Sequence, residues 1–289
     1  MQYALFPGGK KIRSKILIDI GLLFNLDYKK LIIIGSAVEC IHAYSLIHDD
    51  LPCMDNDPIR RGKASTHVKF GESTAVLAGN SLLTMAFEIL SSPSLKVKEN
   101  IKNNLINKIS ECSGHLGIAG GQYLDLSFEH KKISKKKIVE MEIKKTGKLF
   151  SFCCAVPSII KGKNKKEIRF FENIGSNIGL LFQIADDLID FRGDSKKAGK
   201  KTRKDQKKGK ATLINLLGYK ETINFAKNLK LDMLGKMESV ITGKKSGNRE
   251  FFIYLQYNQG SPKSEDEENV SNSRSNLHKE IHSFEILDP

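Results

Sequence analysis

Apolar residues recur at helical spacing along most of this chain, and turn-forming residues separate the helical stretches. The pattern predicts helices over roughly 15–25, 31–48, 71–92, 97–118, 134–160, 167–192 and 211–240. Breaks are expected at Pro93, at Gly120 and Gly121, at Lys-rich turns and at Gly162. No run alternates in the way of a half-buried strand, and nothing repeats at a fixed period. The chain is therefore predicted to fold as an all-α helical bundle.

The composition changes near the C-terminal end. From Tyr257 onward the chain carries seven acidic residues against three basic ones, and Gln, Asn and Ser replace most apolar residues. Such a segment cannot bury enough apolar surface to offset the entropy of ordering. We expect one folded domain at 1–240 and a disordered acidic tail at 241–289.

The chain has a formal charge of +14, which limits the kinds of partner that it is expected to bind. Most of the charge is lysine spread over polar faces, whereas nucleic-acid binders interleave arginine and aromatic residues with the basic run. The excess of positive charge fits an anionic small substrate or an anionic membrane surface, and nucleic acid is the less favoured partner. No stretch approaches the ~18 uninterrupted apolar residues of a membrane span. The five cysteines lack metal-finger spacing, and we expect a cytoplasmic protein without disulfides.

An acidic cluster follows the apolar helix predicted at 31–48. The segment His48–Asp57 contains four aspartates, and Arg60 and Arg61 follow shortly after it. So many charges of both signs in one short segment are costly unless a bound ligand or ion neutralises them. Magnesium is usually held by one or two carboxylates together with substrate phosphates, and arginine grips phosphate in a bidentate fork. The segment is thus a candidate metal and phosphate site, although an Asp-rich turn after a helix is equally often a solvated loop.

A second acidic cluster lies inside the helix predicted at 167–192. Asp186 and Asp190 are four residues apart, so both carboxylates point to one face of a helix. Their repulsion becomes attraction when a dication sits between them. Two such clusters at the ends of two helices predict a shared metal site across a cavity.

With both clusters in view, the chain resembles the trans-isoprenyl diphosphate synthases, most closely the bacterial short-chain type that makes farnesyl diphosphate. The resemblance runs from about Tyr3 to Leu217 and rests on five motifs in order. They are Gly8–Arg13, His48–Arg61, Gly120–Asp125, Lys145–Gly147 and Phe182–Asp190. The resemblance implies an all-α fold around a central substrate cavity. It also implies head-to-tail condensation of isopentenyl diphosphate with an allylic diphosphate, dimethylallyl or geranyl.

The resemblance also implies roles for individual residues. The Mg²⁺ ions, three per site with Mn²⁺ as a possible substitute, would be held or supported by Asp49, Asp50, Asp55, Asp186, Asp187 and Asp190. The allylic diphosphate would be bound by Arg60, Lys145 and Lys200. Isopentenyl diphosphate would be bound by Lys10, Arg13, His42 and Arg61. Lys145, Thr146 and Gln183 would serve the reacting centre. If the resemblance is set aside, His42 is predicted to be a core histidine. Lys200 and Lys210 are then predicted to be solvent-exposed residues of a Lys-rich loop.

Product length in this family depends on the depth of the apolar chamber below the first cluster. Tyr44 stands five residues before Asp49 and would form the chamber floor, which favours a fifteen-carbon product. A geranylgeranyl diphosphate synthase and a non-catalytic subunit of the same fold are the alternatives. The family normally has a further helix before the Gly8–Gly9 turn, so a homodimer is expected only if that helix is not essential.

Overall fold

The computed structural model describes residues 1–6, 8–192 and 209–242. The α-helices are α1 Gln2–Leu5, α2 Ile12–Leu23, α3 Tyr28–Asp49, α4 Thr66–Phe70, α5 Glu72–Ser91, α6 Glu99–Ser113, α7 Ile118–Ser127, α8 Lys135–Glu142, α9 Lys148–Ile160, α10 Lys165–Arg192, α11 Leu213–Leu217 and α12 Tyr219–Thr242. A π-helical turn, Ile143–Gly147, joins α8 to α9. The prediction of an all-α bundle is confirmed.

Helix α3 lies in the middle of the bundle and ends at the first acidic cluster. Its start is fixed by Asp27, whose side chain accepts a hydrogen bond from the Lys30 backbone N–H at 3.0 Å. Helices α2 and α5 pack on its sides, and buried apolar residues follow the whole helix. The buried stripe therefore places Asp49 at the end of a rigid element.

Helix α10 carries the second cluster and packs along α9. Its buried residues recur at helical spacing, and Phe171, Ile178 and Leu181 join the main core cluster. Every residue of α9 from Leu149 to Ile159 is buried. The second cluster is therefore also fixed by the core and not by a loop.

One predicted break is wrong. Gly120 and Gly121 were expected to interrupt a helix, but they lie inside α7. A β-carbon added at Gly121 would come within 2.2 Å of the Lys145 backbone nitrogen, so glycine is what lets α7 approach the π-helical turn so closely. Gly121 therefore serves helix packing at the site, while Gly120 lies against the His115 carbonyl that precedes α7.

The loop after the first cluster contains a small hairpin that the sequence pattern did not predict. Strands β1 Ile59–Arg60 and β2 Lys63–Ala64 pair in antiparallel fashion, with Arg60 opposite Lys63. Between them Arg61 and Gly62 both have positive φ, 54° and 74°, as a two-residue type I′ turn requires. Because of this turn, the side chains of Arg60 and Arg61 contact different parts of the protein.

Two helices, α3 and α5, are long and apolar enough to cross a membrane by length and composition. The core helix of a soluble protein meets the same test, and more than half of the apolar window of α3 is buried in the bundle. The predicted C-terminal segment ends within two residues of α12, while residues 243–289, including nearly all of the predicted tail, lie outside the described residues.

Candidate active site

The two acidic clusters line one cavity of about 600 Å³. Its walls come from α3, α7, the π-helical turn and α10, together with the loop that follows α3. Asp49, Asp55, Asp186, Asp187 and Asp190 all line it. The prediction that both clusters share a cavity is therefore confirmed.

Asp49 presents an oxygen that is buried and has no hydrogen bond. Burial raises the pKa of Asp49, and the nearby Asp55 carboxylate raises it further, against the opposing effect of Lys145. A buried carboxylate oxygen without a hydrogen bond is stabilised by an incoming cation. The donor set therefore fits Mg²⁺.

Within the described ranges, no three metal-binding side chains lie close enough to hold an ion by themselves. Mg²⁺ usually keeps several waters and takes one or two carboxylates together with substrate phosphates. The arrangement of Asp49, Asp55 and the α10 aspartates is that of a site completed by a phosphorylated ligand. It is unlike a closed structural metal site.

Asp50, predicted to support the metal, does not line the main cavity. It is buried behind Asp49 and accepts hydrogen bonds from the Arg60 guanidinium, one of them from Arg60 Nε at 3.0 Å. Arg60 also lies 3.9 Å from Asp49 and 4.0 Å from Asp57. In this structure Asp50 anchors Arg60, and Arg60 lines the cavity.

The second cluster is tied to the π-helical turn by a chain of hydrogen bonds. Thr146 Oγ1 donates to Gln183 Oε1 at 2.9 Å, and Gln183 Nε2 donates to Asp187 Oδ1 at 2.8 Å. Asp187 and Asp190 are buried, while Asp186 is exposed to the cavity and the solvent. The predicted reacting-centre residues Thr146 and Gln183 therefore sit side by side in fixed orientations.

Two lysines on the cavity wall lie beside the first cluster. Lys145 Nζ is 2.7 Å from Asp125 Oδ2 and 3.8 Å from Asp49 Oδ1. Lys210 Nζ is 3.0 Å from Asp55 Oδ1 and 2.8 Å from Asp125 Oδ2. Burial alone would lower the pKa of each lysine, but the aspartates outweigh it and raise both values above the ordinary range. Both ammonium groups are firmly charged.

The expectation for Lys210 is wrong, because its side chain is only 6% exposed. Sequence reasoning assigned it to a solvated loop, and no local signal in the Lys-rich segment distinguishes it from its neighbours. Lys200, predicted to contact the allylic diphosphate, lies outside the described residues.

The four residues predicted to bind isopentenyl diphosphate occupy the region around the Gly8–Gly9 turn. Arg13 Nη1 donates to His42 Nε2 at 3.3 Å, and both residues line the cavity with Arg61. Burial and the adjacent Arg13 and Arg61 hold the pKa of His42 well below its ordinary value. His42 is therefore neutral at pH 7, with its remaining proton on Nδ1.

Lys10 is exposed just before α2 and is not among the residues that line the cavity. Arg61 Nη1 donates to the Gly8 carbonyl at 3.0 Å, and its guanidinium is so close to Gly9 that a β-carbon there would lie 2.7 Å away. The turn at Gly8–Gly9 has positive φ at both residues. Two glycines are thus needed for the backbone to pass beside Arg61.

Sequence reasoning missed two contacts that hold Arg13. Its guanidinium lies 4.6 Å from the centre of the Phe150 ring and 5.7 Å from that of Phe182. Such cation–π contacts stabilise a desolvated guanidinium. Phe182 directly precedes Gln183, so the same turn of α10 contacts both Arg13 and Thr146.

Tyr44, the predicted chamber floor, is buried and lines the cavity. Its hydroxyl donates to the Ser113 carbonyl at 3.0 Å, and its ring meets the His48 ring edge to face. Burial raises the pKa of Tyr44 to about 12, so the phenol stays neutral. The hydrogen bond to Ser113 and the contact with His48 together fix the orientation of the Tyr44 ring.

Glu142 is a buried carboxyl that no motif or spacing in the sequence singles out. It is 2% exposed and lines the cavity. Burial and the nearby Asp125 raise the pKa of Glu142 to about 8, against a small opposing effect of the Leu213 backbone N–H. At pH 7 the group is mostly protonated and neutral.

This raised pKa makes the stability of the protein depend on pH. The folded state keeps the Glu142 proton between about pH 4.5 and about pH 8, whereas the unfolded state has lost it. Stability therefore falls as the pH rises through this window. At ~1.36 kcal/mol per pH unit, the fall is at most ~5 kcal/mol.

We expect Glu142→Gln to flatten this pH dependence, measured as the free energy of unfolding in urea without added Mg²⁺. Glu140→Gln is the matched control, because Glu140 lies on the same helix, is exposed and pairs with Lys144 at 3.1 Å. An unchanged slope in Glu142→Gln would show that the titrating group is another residue.

Known proteins resemble this chain over most of its length. Residues 1–245 match the family profile described as Polyprenyl synthetase. Farnesyl diphosphate synthase of Escherichia coli is 39% identical over 231 residues, which are 79% of this chain and 77% of that protein. Geranylgeranyl pyrophosphate synthase 4 of Arabidopsis thaliana is 37% identical over 80% of this chain and 63% of that protein.

Solved structures agree in fold. A geranyltransferase from Helicobacter pylori, complexed with magnesium and isoprenyl diphosphate, superimposes with a TM-score of 0.78 at 30% identity, covering 96% of this chain and 86% of that one. A geranyltranstransferase from Thermotoga maritima gives a TM-score of 0.72 at 28% identity, covering 97% and 88%. The profile match, the identities and the shared helical fold together show that this chain belongs to the polyprenyl synthetase family.

Proposed function

We propose that this protein is a Mg²⁺-dependent prenyltransferase that condenses isopentenyl diphosphate with dimethylallyl or geranyl diphosphate, head to tail, to give farnesyl diphosphate and diphosphate. The observation that carries the proposal is the pair of aspartate clusters lining one cavity whose wall also holds buried cations. Relatives named farnesyl diphosphate synthase support the choice of product.

Ionisation of the allylic carbon–oxygen bond leaves negative charge on diphosphate, which the site must stabilise. Mg²⁺ held by Asp49, Asp55 and Asp186, with Asp187 and Asp190 in support, would supply much of that positive charge. Arg60 and Lys145 add fixed cations whose positions are set by Asp50 and Asp125. Preorganised charges of this kind need not reorient as the bond breaks.

The allylic cation must survive until the second substrate reaches it. Thr146 and Gln183 are hydrogen-bonded to each other on the cavity wall, where their oxygens would stabilise positive charge. Ile118, Leu149 and Phe182 form apolar parts of the same wall. Excluding water from this space prevents capture of the cation.

The second diphosphate would bind at the end of the cavity that holds Arg13, His42 and Arg61, with Lys10 contributing from the turn. Neutral His42 accepts from Arg13, so its Nδ1–H is the donor left for a phosphate oxygen. When the double bond of isopentenyl diphosphate attacks the allylic cation, one carbon–carbon bond forms. The departing diphosphate then takes the proton lost from the adjacent carbon.

The direct test is turnover by purified protein supplied with Mg²⁺, isopentenyl diphosphate and each allylic diphosphate in turn. We expect farnesyl diphosphate from both primers. Twenty-carbon product alone would favour the geranylgeranyl alternative, which the Arabidopsis relative supports. A folded sample that forms no product with any primer would support a non-catalytic subunit instead.

The proposal also includes a cytoplasmic location, where both phosphorylated substrates and Mg²⁺ are found, and a homodimer. The homodimer is supported by apolar side chains on α5 that remain uncovered in one chain, Leu77 at 65% exposure and Val76 beside it. Sedimentation analysis tests it, with Leu77→Lys expected to shift the protein toward monomer.

A further inference from the structure

Asp125 on α7 brings the ammonium groups of two lysines to one oxygen atom. Its Oδ2 accepts hydrogen bonds from Lys145 at 2.7 Å and from Lys210 at 2.8 Å. The lysines come from different elements, the π-helical turn and the segment before α11, and Lys210 is 85 residues away in sequence. Two like charges so close repel each other, and a single buried carboxylate holds them together.

Each lysine also reaches the first aspartate cluster. Lys145 lies 3.8 Å from Asp49, and Lys210 lies 3.0 Å from Asp55. The pair therefore stands between Asp125 on one side and two proposed metal ligands on the other. If Asp49 and Asp55 hold metal ions, Asp125 would remain as the anchor of both ammonium groups.

We propose that Asp125 is a positioning residue, which holds the ammonium groups of Lys145 and Lys210 side by side so that both bind the diphosphate of the allylic substrate. The inference rests on the proposed function. Because Asp125 keeps both ammonium groups in place before substrate arrives, they need not be gathered from separate positions when the diphosphate enters. Asp125 lines the cavity, but in this proposal it acts through the two lysines and not by contact with the reacting atoms.

Two neighbouring carboxyl groups do not duplicate this role. Glu129 pairs with Lys210 at 3.0 Å, and the structure gives it no ion pair with Lys145. Glu142 lies near Asp125 but has a pKa of about 8, so at pH 7 it is mostly neutral. Among the residues that the structure describes, Asp125 is thus the carboxylate, outside the proposed metal ligands, that binds both lysines.

The experiment compares Asp125→Asn with the wild-type enzyme, which must first show turnover. We expect the KM for the allylic diphosphate to rise about 10- to 50-fold, as for loss of hydrogen bonds to charged groups. The KM for isopentenyl diphosphate should stay within about twofold, because its proposed site is separate. Calorimetric binding of inorganic diphosphate with Mg²⁺ should weaken in parallel, which gives a readout independent of turnover.

Glu129→Gln is the matched control, since it removes a carboxylate from Lys210 alone and should raise the allylic KM only a few-fold. Asp125→Glu should restore part of the loss because it keeps the charge. Equal rises in both KM values, or an unchanged allylic KM, would overturn the inference while leaving the proposed function intact.

If Asp125→Asn does not fold, Lys210→Met tests the same pairing with Asp125 present. It should raise the KM for the allylic diphosphate alone. An allylic KM that stays at the wild-type value in this folded variant would equally overturn the inference.

Discussion

Asp49→Asn is expected to lower kcat by about 10³-fold, the largest single effect that the structure indicates. The substitution keeps the shape of the side chain but removes the charge of a buried oxygen that has no hydrogen-bond partner. Asparagine cannot supply the negative ligand that Mg²⁺ requires. Steady-state turnover with saturating substrates measures the loss.

A second readout separates a lost metal site from a damaged fold. Mg²⁺ with inorganic diphosphate should raise the Tm of the wild type, because a ligand that binds only the folded state stabilises it. The rise should vanish in Asp49→Asn and persist in Asp232→Asn, a control on α12 where the aspartate pairs with Lys236 on the surface. An Asp49→Asn enzyme that keeps a tenth of wild-type turnover would contradict this assignment.

Tyr44→Ala is expected to change the main product from fifteen to twenty carbons. The Tyr44 ring is buried at the cavity wall, and its removal extends the space available to the growing chain. The variant should also be less stable by ~3 kcal/mol, as for other large buried residues cut to alanine. Chromatography of products made from labelled isopentenyl diphosphate measures the shift, at a temperature where circular dichroism shows a folded sample.

Tyr44→Phe is the control for this change. It retains the ring but loses the hydrogen bond to the Ser113 carbonyl, so the product should stay at fifteen carbons. If Tyr44→Ala also makes only farnesyl diphosphate, the chamber floor is formed by other residues.

Several features of the site could be predicted from local sequence. The i, i+4 spacing of Asp186 and Asp190 places both on one helical face, and both line the cavity. The resemblance to the family implies that Arg60 and Arg61 serve different diphosphates, but the contacts that separate the two side chains could not be predicted from sequence. Arg60 is held by Asp50, while Arg61 turns to Gly8, because the hairpin between them reverses the backbone.

The motifs of the sequence by themselves carried the resemblance to the family, and its pattern determined most of the long helices and the two aspartate clusters. These depend on periodicity and spacing within a few residues, which the sequence displays directly. Only the tertiary structure decided that Lys210 is buried, that Asp125 joins it to Lys145, and that Glu142 is a neutral acid in the cavity. Those properties arise from contacts between elements far apart in the chain, and burial then sets the charge state of each group.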